Sequence, residues 1–285
     1  ASEYVAPLTT TPLSNFGGSS CGGTLLDAFV ASCNTVFAQM AAELVGAGPM
    51  IELAERFGFN EMPPLDLPRA ASSVFPDDFG DEIGTIGGDE GVDGDEGEGE
   101  GDGVGGDGQG IPLLENTPAL AQAGIGQFDV KATPLQMALV AAAVANDGTV
   151  MKPHLMHELR SQDGDLLERY EPSTWRVALA GDDASDLQRA MVEVVRRGTA
   201  RRLAIEGALV GGKTGTAQVD ENRPDDTHAW IIGFAGPPDG EATVAVAVLV
   251  ESVPGAGQQT GGTTAAPVAR AVIEAALTAQ GHLGD

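Results

Sequence analysis

Val210-Gly211-Gly212-Lys213-Thr214-Gly215-Thr216-Ala217-Gln218 puts a lysine, two hydroxyls and two exposed backbone amides onto what reads as a β-strand. Successive side chains of a strand point to opposite faces, so Lys213 and Gly215 share one face and Thr214 and Thr216 the other. A lysine beside a hydroxyl can hold a substrate carboxylate. Gly215 has no side chain, which lets a substrate lie along the strand edge, and the Thr216 N–H can then point at a developing oxyanion. Lysine is scarce in this chain, which has only Lys131, Lys152 and Lys213. The string Lys-Thr-Gly is common by chance, so its meaning rests on its surroundings.

The C-terminal side of this stretch reads as sheet. Strands are expected over 208–219, 228–235 and 243–251, with a tight turn at Pro237-Pro238-Asp239-Gly240. The third strand is almost continuously apolar, so both of its faces should be covered. A final helix, about 267–277, carries Val268, Val272, Ile273 and Leu277 to lie on that sheet. The N-terminal side reads mainly as helix. Thr24 can cap a helix bearing Leu25, Leu26, Phe29 and Val30. The pattern stutters at Ser32-Cys33-Asn34, resumes with Phe37, Met40 and Leu44, and ends at Gly46 and Gly48. Further helices are expected over 49–57, 133–145 and 185–197, and a hairpin over 155–170. This order gives an α+β protein: helices, then an antiparallel three-strand meander with a helix laid across it.

At 285 residues and 42% hydrophobic content the chain can bury a sizeable core. It holds no apolar run long enough to span a membrane, and its first residues have no signal-peptide architecture. Its formal net charge is -27, from 15 basic and 42 acidic residues. That excludes a basic nucleic-acid footprint, so no nucleic-acid partner is expected. The acidic surface reads as a solubilising one. The four histidines are scattered, and neither a metal site nor a cofactor is expected. Cys21 and Cys33 read equally as a bridge or as two free thiols.

Residues 77–110 stand apart. Between Asp77 and Gln109 lie 13 of the 42 acidic residues and 13 glycines, with no lysine or arginine. Such a run cannot bury enough apolar surface to order itself, and it reads as a disordered, solvated insertion loop. Asp89, Asp93, Asp95 and Glu100 fall on several positions of a calcium loop, but Gly91 stands at the third and no helices flank it. The loop reading is therefore preferred.

The second chemical element is Ser32-Cys33-Asn34 at the joint between two helices. A serine and an asparagine two apart can converge on one site, the serine relaying a proton and the asparagine holding an amide. The alternative is that Ser32 caps the following helix.

Taken together, Ser32-Cys33-Asn34 and Lys213-Thr214-Gly215, about 180 residues apart, resemble the second and third motifs of the penicillin-recognising serine acyltransferases. Ala31-Ser32-Cys33-Asn34-Thr35-Val36-Phe37, Gly124-Ile125-Gly126-Gln127, Thr133-Pro134-Leu135-Gln136, Gly198-Thr199-Ala200, Lys213 to Gln218 and His228-Ala229-Trp230 are similar to class B penicillin-binding proteins of the actinobacterial penicillin-binding protein A type. The resemblance implies a penicillin-binding, β-lactamase-like transpeptidase fold, an antiparallel sheet flanked by helices. It also implies D,D-transpeptidation in peptidoglycan synthesis. A serine attacks the stem peptide, an acyl-enzyme forms, and a neighbouring stem's amine resolves it. By resemblance, Ser32, Asn34 and Lys213 are catalytic and Thr214, Gly215 and Thr216 bind substrate. His228 and Trp230 are expected to pack rather than react. The implied partners are peptidoglycan stem peptides and β-lactams, with a membrane-anchored full-length protein facing the cell envelope beside other cell-wall synthesis proteins. The extracytoplasmic location, with counterparts of both cysteines in the actinobacterial type, tips Cys21 and Cys33 toward a disulfide.

One motif of the family is absent. Its attacking serine stands three residues before a lysine, but Lys131, Lys152 and Lys213 follow Phe128, Thr149 and Val210 at that spacing. The chain is therefore expected to be the C-terminal portion of one transpeptidase domain, incomplete at its N-terminus and inactive alone. Two other readings stay open: a non-catalytic module that keeps the substrate cleft, and a soluble β-lactamase-like hydrolase.

Overall fold

The computed structural model describes residues 1–87, 110–220, 223–253 and 257–283. Two short strands, β1 (Glu3–Tyr4) and β2 (Leu13–Ser14), pair antiparallel. Helix α1 (Leu25–Ala31) follows. Its cap is Thr24, whose Oγ1 accepts the Asp27 N–H at 3.1 Å. Helix α2 (Asn34–Met40) continues through a π turn, Ala41–Val45, to Gly46, where the left-handed φ of 78° stops it. Helix α3 (Ala47–Arg56) leads to β3 (Glu82–Ile86), which pairs antiparallel with β4 (Ile111–Leu114). Helix α4 (Thr117–Ala123) precedes α5 (Pro134–Ala145). Thr133 caps α5 by accepting the Gln136 N–H at 3.0 Å, and Pro134 occupies the first turn, where its missing N–H costs nothing.

Beyond α5, β5 (Thr149–Met151) precedes a hairpin of β6 (Glu158–Arg160) and β7 (Leu166–Arg169). The strand β8 (Thr174–Val177) then returns to pair with β5. Helix α6 (Gly181–Arg197) carries Asp182 and Asp183 in its first turn and Arg196 and Arg197 in its last, complementing its dipole. Three long strands complete the sheet region: β9 (Leu209–Asp220), β10 (Arg223–Gly236) and β11 (Val244–Val250). A π turn, Gly261–Ala265, opens helix α7 (Ala266–Ala279).

The chain divides into two compact units. The first comprises residues 1–20, 34–51 and 76–128. One cluster of its core is made of small side chains, Ala6, Ala38, Ala42 and Ala121, with Tyr4, Leu13 and Ile125 packed against them, and Phe79 and Leu120 are buried in the same unit. The Tyr4 hydroxyl donates to Glu43 Oε1 at 2.8 Å.

The second unit comprises residues 21–33, 52–75 and 129–285 and holds the main sheet, in the order β11-β10-β9, antiparallel throughout. Strand alternation sorts its core into two faces. Ala229, Ile231 and Ala235 of β10 join Val210 and Val246 in one cluster with Ala269, Ile273 and Leu277 of α7. Phe234 of β10, one position out of phase, joins Val144 of α5 and Met191 of α6 in another. Both α5 and α7 pack against the apolar run of β11, in which Val246 is buried and Ala245 is exposed.

The meander, the crossing helix and the α+β order match the sequence expectation, with boundaries shifted by a few residues. The expected loop over 77–110 is interrupted at its start, because Glu82–Ile86 forms β3, held by β4. The calcium-like positions Asp89, Asp93, Asp95 and Glu100 lie outside the described residues. Helix α6 begins at Gly181, earlier than the Ser185 start expected. Among the described residues, no helix is long and apolar enough to cross a membrane.

Candidate active site

Ser32 is not the cap of the following helix. It ends α1 in the left-handed conformation, at φ 58° and ψ 54°. Its N–H reaches Phe29 O at 3.1 Å and the Cys33 N–H reaches Ala28 O at 2.9 Å, the pattern of a helix end that ordinarily carries glycine. A serine there costs on the order of 1 kcal/mol of backbone strain. The residue after it, Cys33, is bridged to Cys21 by a disulfide, which ties down the turn.

The strained serine meets the lysine of β9. Lys213 Nζ donates to Ser32 Oγ at 2.6 Å and to Thr214 O at 2.9 Å. It also lies 5.7 Å from the centre of the Phe29 ring of α1, within cation–π range. Burial disfavours the charged ammonium and pushes the Lys213 pKa from 10.5 down to about 8. A lysine so placed still carries its proton at neutral pH but releases it far more readily than a free lysine, and it keeps the Ser32 oxygen hydrogen-bonded, leaving the Ser32 hydroxyl its own proton to donate.

Thr214, on the opposite side of β9 by alternation, forms a hydroxyl pair with Thr199: the two Oγ1 atoms lie 2.6 Å apart. Gly215 stands opposite Trp230 in the β9–β10 register. A Cβ on Gly215 would come 3.1 Å from Trp230 Cβ, so glycine here serves cross-strand packing as well as leaving the strand edge open. Thr216 pairs with Ala229. Since β9 is the outer strand of the main sheet, one of its edges has no strand neighbour among the described residues.

Four expected site residues, Lys213, Thr214, Gly215 and Thr216, thus lie together on one edge strand, and Ser32 lies against Lys213. Asn34 opens α2 in the first unit, where its amide donates to Ser14 O at 3.4 Å. His228 packs structurally: its Nδ1 accepts the Ser252 N–H at 2.9 Å. Two neighbours of the site carry no chemical signal in the sequence. Phe29 reads only as an apolar helix position, and Thr199 stands in Gly198-Thr199-Ala200, a string that carries part of the family resemblance without pointing to a role in the site.

Comparison with known proteins bears on this geometry. Residues 11–274 match the penicillin binding protein transpeptidase domain. The peptidoglycan D,D-transpeptidase PbpA of Mycolicibacterium smegmatis is 34% identical over 277 residues, covering 95% of this chain and 48% of the relative. Among solved structures, penicillin-binding protein A from M. tuberculosis, in an imipenem acyl-enzyme complex, superposes with a TM-score of 0.74. It is 33% identical and is matched over 97% of this chain and 54% of that one. The D,D-transpeptidase domain of a peptidoglycan glycosyltransferase from Eggerthella lenta gives a TM-score of 0.74 at 27% identity, over 96% of this chain and 58% of that one. The chain spans about half the length of the relatives it matches.

Proposed function

We propose that this chain, which belongs to the penicillin-binding protein transpeptidase domain family, forms two walls of a serine acyl-transfer cleft in a peptidoglycan D,D-transpeptidase. The observation that carries the reading is the buried Lys213 ammonium donating to the strained Ser32 at 2.6 Å. In the proposed reaction a serine oxygen attacks the penultimate D-alanine carbonyl of a stem peptide, the C–N bond breaks, and the terminal D-alanine leaves as an amine. The proton that the attacking serine gives up is relayed through Ser32, which passes its own proton to the departing nitrogen and takes up the incoming one, while Lys213 holds the Ser32 oxygen. Asn34 holds an amide of the stem peptide. Thr214 binds the substrate carboxylate, Gly215 lets the extended peptide lie along the β9 edge, and the Thr216 N–H takes the oxyanion. The acyl-enzyme is then resolved by the amine of a second stem peptide. β-Lactams enter the same cleft and acylate the same serine.

No serine stands three residues before a lysine in these 285 residues, so we assign the attacking serine of this scheme to a part of the protein outside them. The chain is then the C-terminal portion of one transpeptidase domain, with 77–110 as an acidic insertion. The proposed setting is the cell-envelope side of the plasma membrane, with the full-length protein anchored there beside other wall-building proteins. A labelled β-lactam tests the reading. The full-length gene product is expected to take up one covalent label that survives denaturation, and the 285-residue chain alone none. An unlabelled, folded full-length protein would leave only a non-catalytic cleft module, and rapid turnover of the β-lactam would make it a hydrolase.

A further inference from the structure

We propose that the substrate carboxylate is recognised by a pair of hydroxyls, Thr199 and Thr214, acting as one donor, with Thr199 as a positioning residue for Thr214. The inference rests on the transpeptidase reading. Each threonine hydroxyl has one proton and two acceptor lone pairs. At 2.6 Å between the two oxygens, one proton is spent inside the pair. Among the described residues neither hydroxyl has another hydrogen-bond partner, so one proton of the pair remains for an outside acceptor. A carboxylate is such an acceptor, and the hydroxyl that donates to it is strengthened by the bond it accepts from its neighbour.

Thr199 is held for this task by backbone on three sides. It follows Gly198, which ends α6 so close to α1 that a Cβ on it would come 2.5 Å from Val30 O and 2.8 Å from Val194 O. On the other side, a Cβ on Gly262 would come 2.4 Å from Thr199 O and 3.8 Å from Thr214 Cγ2. The ends of α1 and α6 and the start of α7 thus fix the Thr199 main chain, and Ala200 beside it is fully buried. Thr214 sits on a strand edge with one χ1 rotor. The bond to a fixed partner selects its rotamer, sparing the ordering cost at the moment of binding.

The test is the acylation kinetics of the full-length protein with a β-lactam bearing a free carboxylate and with its methyl ester, resolving the binding constant from the acylation rate constant. Thr199→Val is expected to weaken binding of the acid about tenfold and to leave the acylation rate constant within about twofold. Binding of the ester should not change, and Thr199→Ser should restore binding of the acid. The Thr199→Val/Thr214→Val double variant should bind no worse than the weaker single one, because Thr199 acts only through the Thr214 hydroxyl, which the double variant also lacks. Wild-type acylation with an unaltered binding constant in Thr199→Val, or two fully additive losses, would overturn this inference alone. A wild-type protein that no β-lactam acylates would overturn the transpeptidase reading and this inference with it.

Discussion

Lys213→Met is expected to make the chain more stable at neutral pH, by about 1–3 kcal/mol. The cause is the burial that lowers the Lys213 pKa from 10.5 to about 8. At about 1.36 kcal/mol per pH unit, that shift means the folded state gives up roughly 3 kcal/mol to hold the ammonium below pH 8. Losing the hydrogen bonds to Ser32 and Thr214 O offsets about 1 kcal/mol of the gain. The sign comes from proton counting. Between about pH 8 and 10.5 the unfolded chain binds the Lys213 proton and the folded chain does not, so this lysine's contribution to stability rises with pH across that window. The advantage of the Met variant should therefore be full at pH 7 and shrink above pH 8. Urea unfolding of both proteins at pH 7 and pH 9.5 measures it. A Met variant less stable at pH 7, or an advantage that does not change with pH, would contradict the burial account. A residue that lowers the stability of its own fold at working pH is retained for another reason, and the Ser32 contact supplies one.

Gly261→Ala is expected to cost about 3–5 kcal/mol. Gly261 begins the turn into α7, and a Cβ on it would lie 1.9 Å from Trp230 O and 2.8 Å from Gly215 O. Both obstacles are backbone of the sheet, so no side-chain rotation relieves the clash. The turn must lift, and α7 carries Ile273 and Leu277, both fully buried against β10 and β11. The matched control is Gly181→Ala at the start of α6, where nothing lies within 4 Å of the added methyl. There the change should be neutral or slightly stabilising, since alanine favours helix over glycine. Thermal or urea unfolding that ranks the two variants equally would show that the α7 turn is looser than the close approach at Gly261 requires.

The legible parts of this fold are those decided locally. Thr24 and Thr133 each stand three residues before the N–H they accept, and both helix starts can be read from that chemistry. The meander is legible because β11 is a continuous apolar run and a Pro-Pro-Asp-Gly turn separates it from β10. The strand β3 is hidden by composition: Glu82-Ile83-Gly84-Thr85-Ile86 sits in an acidic, glycine-rich run and is ordered by a distant partner, β4. The β5–β8 pairing is hidden for the same reason, since each strand is short and the paired segments have a hairpin between them. At the site, Lys213 to Thr216 announce themselves as chemistry on a strand. Whether Ser32 relays or caps cannot be decided from the string alone, because the answer lies in a left-handed φ and in a contact 181 residues away. Thr199 is opaque on its own, and its position becomes informative only beside Thr214.

The central claim is that Ser32, held by Lys213, serves acyl transfer, and Ser32→Gly in the full-length gene product tests it most directly. Glycine is the residue that the left-handed backbone at this position accepts best, so the variant removes the hydroxyl without breaking the helix end. The second-order rate constant for acylation by a β-lactam is expected to fall about 100-fold or more. Unfolding should show a protein at least as stable as the wild type. Acylation of a folded Ser32→Gly protein at the wild-type rate would contradict the account.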